Sequence, residues 1–316
     1  MRISVSASLA AVLALSAWSA PRASAHPGSG IVVDDKGRVF FTDTGNPDGR
    51  FSGHIWMIDA QGRLASAHRT GAHWLALDAT DRFARADLKA WFDQRLTPNF
   101  ERIPRSEANP TLLQTDGVPF VVRRDGNLYY ANRHVEITRL SPDGTRTPLV
   151  PNLNAMAERL GGIKGLAAGP DGSLYVAYPR AVQKITQAGA VTTVINPVVV
   201  PDCDRDVVNI PEPYLRGLAV DGRGTVYAAA SGCRCVVKIP HGGKVETVLK
   251  AERPWSPTGV AIHGDEVYVL EYTNANAPPQ EWRPRVRKLG RDGTVTILAT
   301  VAREARTDRP RPRDKE

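Results

Sequence analysis

The stretch GLAAGPDGSLYVAY, residues 165–178, holds two short apolar runs around a Pro-Asp-Gly turn. The same rhythm returns as GIVVDDKGRVFFTD (30–43), PFVVRRDGNLYYAN (119–132) and GLAVDGRGTVYAAA (217–230). Aligning the turns puts Gly37, Gly126, Gly172 and Gly224 in register. Asp81 stands in for the glycine in WLALDATDRFA (74–84), and GVAIHGDEVYVLEY (259–272) carries a shorter turn at Gly264-Asp265. The steps between turns are 44, 45, 46, 52 and 40 residues, a spacing that suits a repeated unit of four short strands.

The rest of each unit follows one plan. A third strand (HIWMID, VEITRL, AVQKI, CVVKI, VRKL) leads into a tight Gly turn and a short fourth strand. Val, Ile, Tyr and Thr fill the strand positions, and Asp-Gly or Gly-Gly the hairpins. No amphipathic helix longer than about two turns is predicted outside residues 87–94. A lone four-stranded sheet cannot bury both faces, whereas six sheets packed radially can. The predicted fold is therefore all-β, a six-bladed β-propeller of four-stranded antiparallel blades. Inner strands are expected near residues 30, 73, 119, 165, 217 and 259, where Gly and Ala permit close approach at the axis.

The units GLAVDGRGTVYAAASGCRCVVKI and GLAAGPDGSLYVAYPRAVQKI resemble NHL repeats, and the chain from about residue 28 to 300 resembles the propellers of the SMP-30/gluconolactonase-like superfamily. The resemblance implies a propeller fold. For function it implies a lactone hydrolase, a lyase or a binding module. SMP-30-like hydrolases place a metal-binding Glu at the start of the first inner strand. Here that position reads HPGSGIVV (26–33), without an acid. The histidine set of NHL-type amidating lyases is not matched, and no G-x-S-x-G pattern occurs.

The chain of 316 residues carries a formal net charge of +8, with 42% hydrophobic residues, 27 Gly and 24 Pro. Arg2 and Arg22 lie near the N-terminus, and residues 302–316 hold six basic and four acidic side chains, so part of the excess is peripheral. Without a Lys/Arg block interleaved with aromatics, nucleic acid is not an expected partner. Residues 1–25 read as a signal peptide ending in Ala23-Ser24-Ala25, which predicts a secreted or periplasmic protein free of the membrane after cleavage. Residues 26–300 form the expected propeller, and 301–316 a disordered charged tail. A monomer is expected. Cys203 is expected to pair with Cys233, Cys235 being the alternative partner; Cys233 and Cys235, two apart on a strand, cannot easily pair with each other.

Insertions accumulate on one face, at 43–53, 88–118, 196–215 and 272–284, which marks it as the binding face. Two rings are expected to line its mouth. Ser29, His73, Val118, Lys164, Arg216 and Thr258 precede the inner strands. Asp43, Asn132, Tyr178, Ala230 and Glu271 end the second strands. Lys164 and Arg216, with Thr258, Tyr178 and Asn132, are the expected contacts to a small anionic ligand or a peptide. On the alternative reading, Asp43, Asn132 and Glu271 hold one divalent cation (Ca, Mg or Zn), and Glu271 and His73 serve a lactone or ester hydrolase, or a lyase, as catalytic groups.

Overall fold

A computed structural model describes residues 28–45, 53–88, 99–107, 109–150, 153–204, 213–242, 244–273 and 283–302. The signal peptide and most of the tail called from the sequence lie outside these, as do parts of all four long insertions and most of 87–94. Val301 is buried beside the last blade, so packed chain runs past residue 300.

Six sheets follow one another along the chain. Blade one comprises β1 (Ile31–Val33), β2 (Val39–Asp43), β3 (His54–Ile58) and β4 (Leu64–Arg69). Blade two comprises β5 (Trp74–Leu77), β6 (Glu101–Ile103) and β7 (Leu112–Thr115). Blade three holds β8 (Phe120–Val122), β9 (Leu128–Asn132), β10 (Glu136–Leu140) and β11 (Arg146–Pro148). Blade four holds β12 (Gly165–Ala168), β13 (Leu174–Tyr178), β14 (Ala181–Ile185) and β15 (Val191–Ile195). Blade five holds β16 (Leu215–Val220), β17 (Val226–Ala230), β18 (Cys235–Ile239) and β19 (Glu246–Lys250). Blade six holds β20 (Trp255–His263), β21 (Glu266–Thr273), β22 (Pro284–Leu289) and β23 (Val295–Thr300).

The turn register read from the sequence holds at every blade. Gly37, Gly126, Gly172, Gly224 and Gly264 have φ between +61° and +82°, and Asp81, the substitute for glycine, has φ +54°. Asp tolerates this left-handed region better than most side chains. The aspartates of these turns also tie their own backbone. Asp34 Oδ1 accepts from the Arg38 amide at 2.9 Å, and Asp221 Oδ1 from the Thr225 amide at 2.8 Å. Such short-range bonds make the hairpin a local property of the repeat.

Blade two departs from the repeat. Its described strands run in the order β5-β7-β6, so the second place is taken by β7 and not by residues following Asp81. The reason is local. Phe83 and Leu88 are buried without strand alternation, and Arg102 Nη1 donates to the carbonyls of Phe83 and Ala86 at 2.9 and 2.8 Å. A six-residue helix, α1 (Asn154–Arg159), which the sequence pattern did not reveal, precedes blade four.

The core is divided into six clusters, one in each seam between blades. Phe41, Tyr268 and Leu270, for example, fill the seam of blades six and one. Val226, Ala228 and Val182 fill that of blades four and five. Near the axis the inner strands come together backbone to backbone. A Cβ on Gly30 would lie 2.6 Å from the Leu75 amide nitrogen, and one on Gly217 would lie 2.7 Å from the Gly259 Cα. Any larger residue there would force the blades apart.

Among the described residues no strand is shared between the termini, and blades one and six are each complete sheets. Thr258 Oγ1 donates to the Gly28 carbonyl at 2.6 Å, and Tyr272 Oη to the Thr42 carbonyl at 2.7 Å. Two buried hydroxyls thus fasten the seam in place of a shared sheet.

Candidate functional site

The residues that end the second strands do not form a ring around the mouth. Side chains alternate along a strand, and the core clusters fix which way each one faces. Asp43 shares the side of Phe41, toward the six–one seam. Asn132 shares the side of Tyr130, toward the two–three seam. Tyr178 packs in the three–four seam and Ala230 in the four–five seam. Glu271 shares the side of Val269, toward the five–six seam. Each end residue therefore looks into a different seam.

This corrects the proposed cation site. Asp43, Asn132 and Glu271 face three separate seams, and among the described residues no group of three or more His, Cys, Asp or Glu side chains could hold a metal ion. The donor set expected for a cation does not fit one. Asp43 instead accepts from the Gly45 amide at 3.0 Å and from Trp56 Nε1 at 3.2 Å. The Asn132 Oδ1 is buried without a hydrogen-bond partner.

Glu271 is fully buried and held by arginines of its own blade. Arg285 Nε donates to Oε2 at 2.5 Å and Arg287 Nη1 to Oε1 at 3.2 Å. Arg285 also pairs with Glu252 at 3.2 Å and stacks 4.2 Å from the Trp255 ring centroid. Burial pushes the Glu271 carboxyl up, and the two guanidiniums pull it the other way. A carboxylate committed in this way is the centre of a structural ion-pair network, not a free base beside His73. His73 stands at the approach to blade two, its carbonyl accepting from the Ser29 and Gly30 amides at 2.8 and 3.0 Å.

Two expected ligand contacts are likewise occupied. Tyr178 is fully buried, donates to Gln183 Oε1 at 3.0 Å, and has its phenol pushed well above the ordinary range by burial. Thr258 spends its hydroxyl on the ring seam. Of the residues that precede the inner strands, Ser29, Val118 and Thr258 are buried, whereas His73, Lys164 and Arg216 keep partial exposure.

Lys164 lies beside Tyr214, a residue that the sequence reading missed. Lys164 Nζ lies 5.9 Å from the ring centroid of Tyr214. Tyr214 precedes Arg216 by two residues and interacts electrostatically with its guanidinium, as does Tyr272. Burial among the inner strands draws the Arg216 guanidinium below the ordinary arginine value, and the two phenols oppose that shift. Neither cation makes a hydrogen bond or ion pair among the described residues, since the carboxylates of Asp43 and Glu271 are engaged elsewhere. Tyr214 has φ +46°, a conformation that costs a bulky side chain about 1–2 kcal/mol. Tyr214 lies just before β16 in a left-handed conformation, so strand periodicity gave no signal for it.

The loop bearing Tyr214 is pinned from behind. Cys203 and Cys233 form the expected disulfide, and Cys235 is a buried free thiol pushed up to about 11 by burial. Cys233 belongs to a 3-10 turn (Ser231–Cys233), not to the strand expected for it. The amides of Gly232 and Ser231 in that turn donate to the carbonyls of Pro213 and Tyr214 at 2.9 and 3.2 Å. Beside them Asp204 bridges Arg234 and Arg253 at 3.4 and 2.9 Å.

A cavity of about 560 Å³ lies on the opposite face, where Arg123, Arg124, Asp125, Asp171 and Asp221 of the short turns line it. Four of the five charged side chains that line it are already engaged. Arg123 pairs with Asp125 at 3.0 Å, Lys184 with Asp171 at 2.7 Å, and Asp221 caps its own turn. Two cations without an ion pair among the described residues mark the Lys164–Arg216 mouth.

No protein-family model matches the chain, and no curated protein does either. Solved structures share its architecture. A Bacteroides thetaiotaomicron protein of unknown function is 14% identical with a TM-score of 0.53, over 84% of this chain and 70% of that one. A luciferin-regenerating enzyme is 14% identical at 0.50, over 87% and 92%. Virginiamycin B lyase from Staphylococcus aureus is 14% identical at 0.49, over 88% and 86%. At such identities the likeness is one of fold. The chain is a six-bladed β-propeller.

Proposed function

We propose that the chain is an exported, monomeric propeller that binds a small anionic ligand, or the acidic end of a peptide, at the mouth on its long-loop face. The observation that carries this reading is the pair of cations near Tyr214, Lys164 and Arg216, which have no carboxylate partner among the described residues. A half-buried guanidinium deprived of a counter-ion is costly, and a bound carboxylate or phosphate relieves that cost through charge-assisted hydrogen bonds. The disulfide supports export, since such bonds persist in oxidising compartments. A metal-dependent lactonase is the poorer reading, because its three expected ligands face separate seams.

The test is calorimetric titration with benzoate, citrate and inorganic phosphate. At least one is expected to bind, more weakly as salt rises. Arg216→Gln should weaken it about tenfold or more, as loss of a charged hydrogen bond of about 1.5–3 kcal/mol requires. Binding unchanged in Arg216→Gln and Lys164→Gln, or no binding at about 1 mM of any of the three, rejects the reading.

A further inference from the structure

A second site of opposite charge lies in the seam of blades one and two. Gln114, on β7, is 2% exposed and faces that seam together with Leu112. Its Nε2 donates to Glu101 Oε2 at 2.8 Å across the β6–β7 pair, which fixes the orientation of the amide. Its Oε1 then points away from that bond, buried and without any hydrogen-bond partner. A buried acceptor left unpaired costs about 1–3 kcal/mol, so native proteins rarely leave one unserved.

Gln114 lines a cavity of about 170 Å³ with Thr70, Glu101, Thr115 and Asp116. Besides Gln114 the lining holds two carboxylates, two hydroxyls, the Asn99 amide and no basic side chain. The space equals roughly five or six water volumes, below the range of about 300–1,000 Å³ typical of drug-sized ligands. The lining therefore asks for a compact group that brings positive charge and N–H donors. A primary ammonium has three donors to share among Gln114 Oε1 and the two carboxylates.

We propose that this cavity binds the ammonium group of a small primary amine, held by the Gln114 carbonyl oxygen and the carboxylates of Glu101 and Asp116. The site is separate from the anion mouth, and its test does not depend on that reading.

The probe is ethylammonium chloride, titrated against tetramethylammonium chloride at equal ionic strength. The readout is the NMR signal of the Gln114 side-chain amide. Ethylammonium should shift it saturably, and tetramethylammonium, which has the charge but no N–H, should not. Glu101→Gln should weaken the ethylammonium effect about tenfold. Asp116→Asn, a change at an exposed position that leaves the fold intact, should weaken it severalfold. Equal responses to the two cations would overturn the proposal by showing a nonspecific charge effect. The absence of a saturable shift would overturn it by showing that water alone serves the Gln114 oxygen. A response to calcium chloride in place of ethylammonium would overturn it in favour of a metal.

Discussion

Lys164 and Tyr214, from adjacent blades, meet with the ammonium 5.9 Å from the phenol ring, and Tyr214 holds its position only by adopting φ +46°. The protein thus spends backbone strain to set an aromatic ring beside the Lys164 ammonium. Glycine relieves that strain. Tyr214→Gly should leave the melting temperature unchanged or raised, by the equivalent of about 1 kcal/mol, while weakening anion binding severalfold through loss of the cation–π contact. Thermal unfolding and calorimetry on the same sample separate the two effects. Lower stability with unchanged affinity would show that Tyr214 is only a packing residue.

Glu271 should behave as a structural group. Glu271→Gln leaves Arg287 without a counter-charge and Arg285 with only the exposed Glu252, and loss of one partner from a buried pair costs about 3–5 kcal/mol. Chemical denaturation should show a loss of that size, and the folded fraction should bind anions as the parent does. A variant with parental stability but lost ligand binding would restore Glu271 to the site.

The Cys203–Cys233 bridge closes a sequence separation of 30 residues and should stabilise the fold by about 3–4 kcal/mol. Titration of the denatured, unreduced protein should find one free thiol, that of Cys235. Reduction should lower the melting temperature and weaken anion binding, because the turn that donates to Tyr214 loses its anchor. Three free thiols before reduction would contradict the bridge.

His134 accounts for a pH dependence at the same face. Its Nδ1 lies 3.1 Å from the Ile163 carbonyl oxygen, and burial holds the imidazole below its usual 6.5, with Lys164 adding repulsion. The unfolded chain then takes up a proton at a pH where the folded protein does not. The His134 contribution is therefore complete above about pH 6.5 and declines as pH falls below it. An NMR titration should place the His134 midpoint below 6.5, and a midpoint above that value would reverse the sign.

Most of the fold is legible because the repeat is written in local chemistry. Glycine or Asp81 at each left-handed turn, Val and Tyr in the strands, and glycine where Gly217 meets Gly259 are all short-range or backbone constraints. Blade two was misread past Asp81 because the chain there substitutes Phe83 packing and Arg102 hydrogen bonds for strand pairing. The site was legible only in part. Arg216 and Lys164 stand out as unbalanced charges before inner strands. The inward acids were misjudged because facing depends on the sheet's contacts with its neighbours, and one residue of register sends Glu271 into a seam instead of the mouth. Gln114 carried no sequence signal, since its significance lies in a missing partner.

The central claim is that an anion sits against Arg216. A crystal of the protein soaked with 4-bromobenzoate locates the ligand through anomalous scattering from bromine. The account predicts a single strong peak at the long-loop mouth, with the carboxylate in hydrogen-bond contact with the Arg216 guanidinium and the ring near Tyr214. A peak confined to the cavity of Arg123 and Asp221 on the opposite face, or ligand density that avoids Arg216, would contradict it.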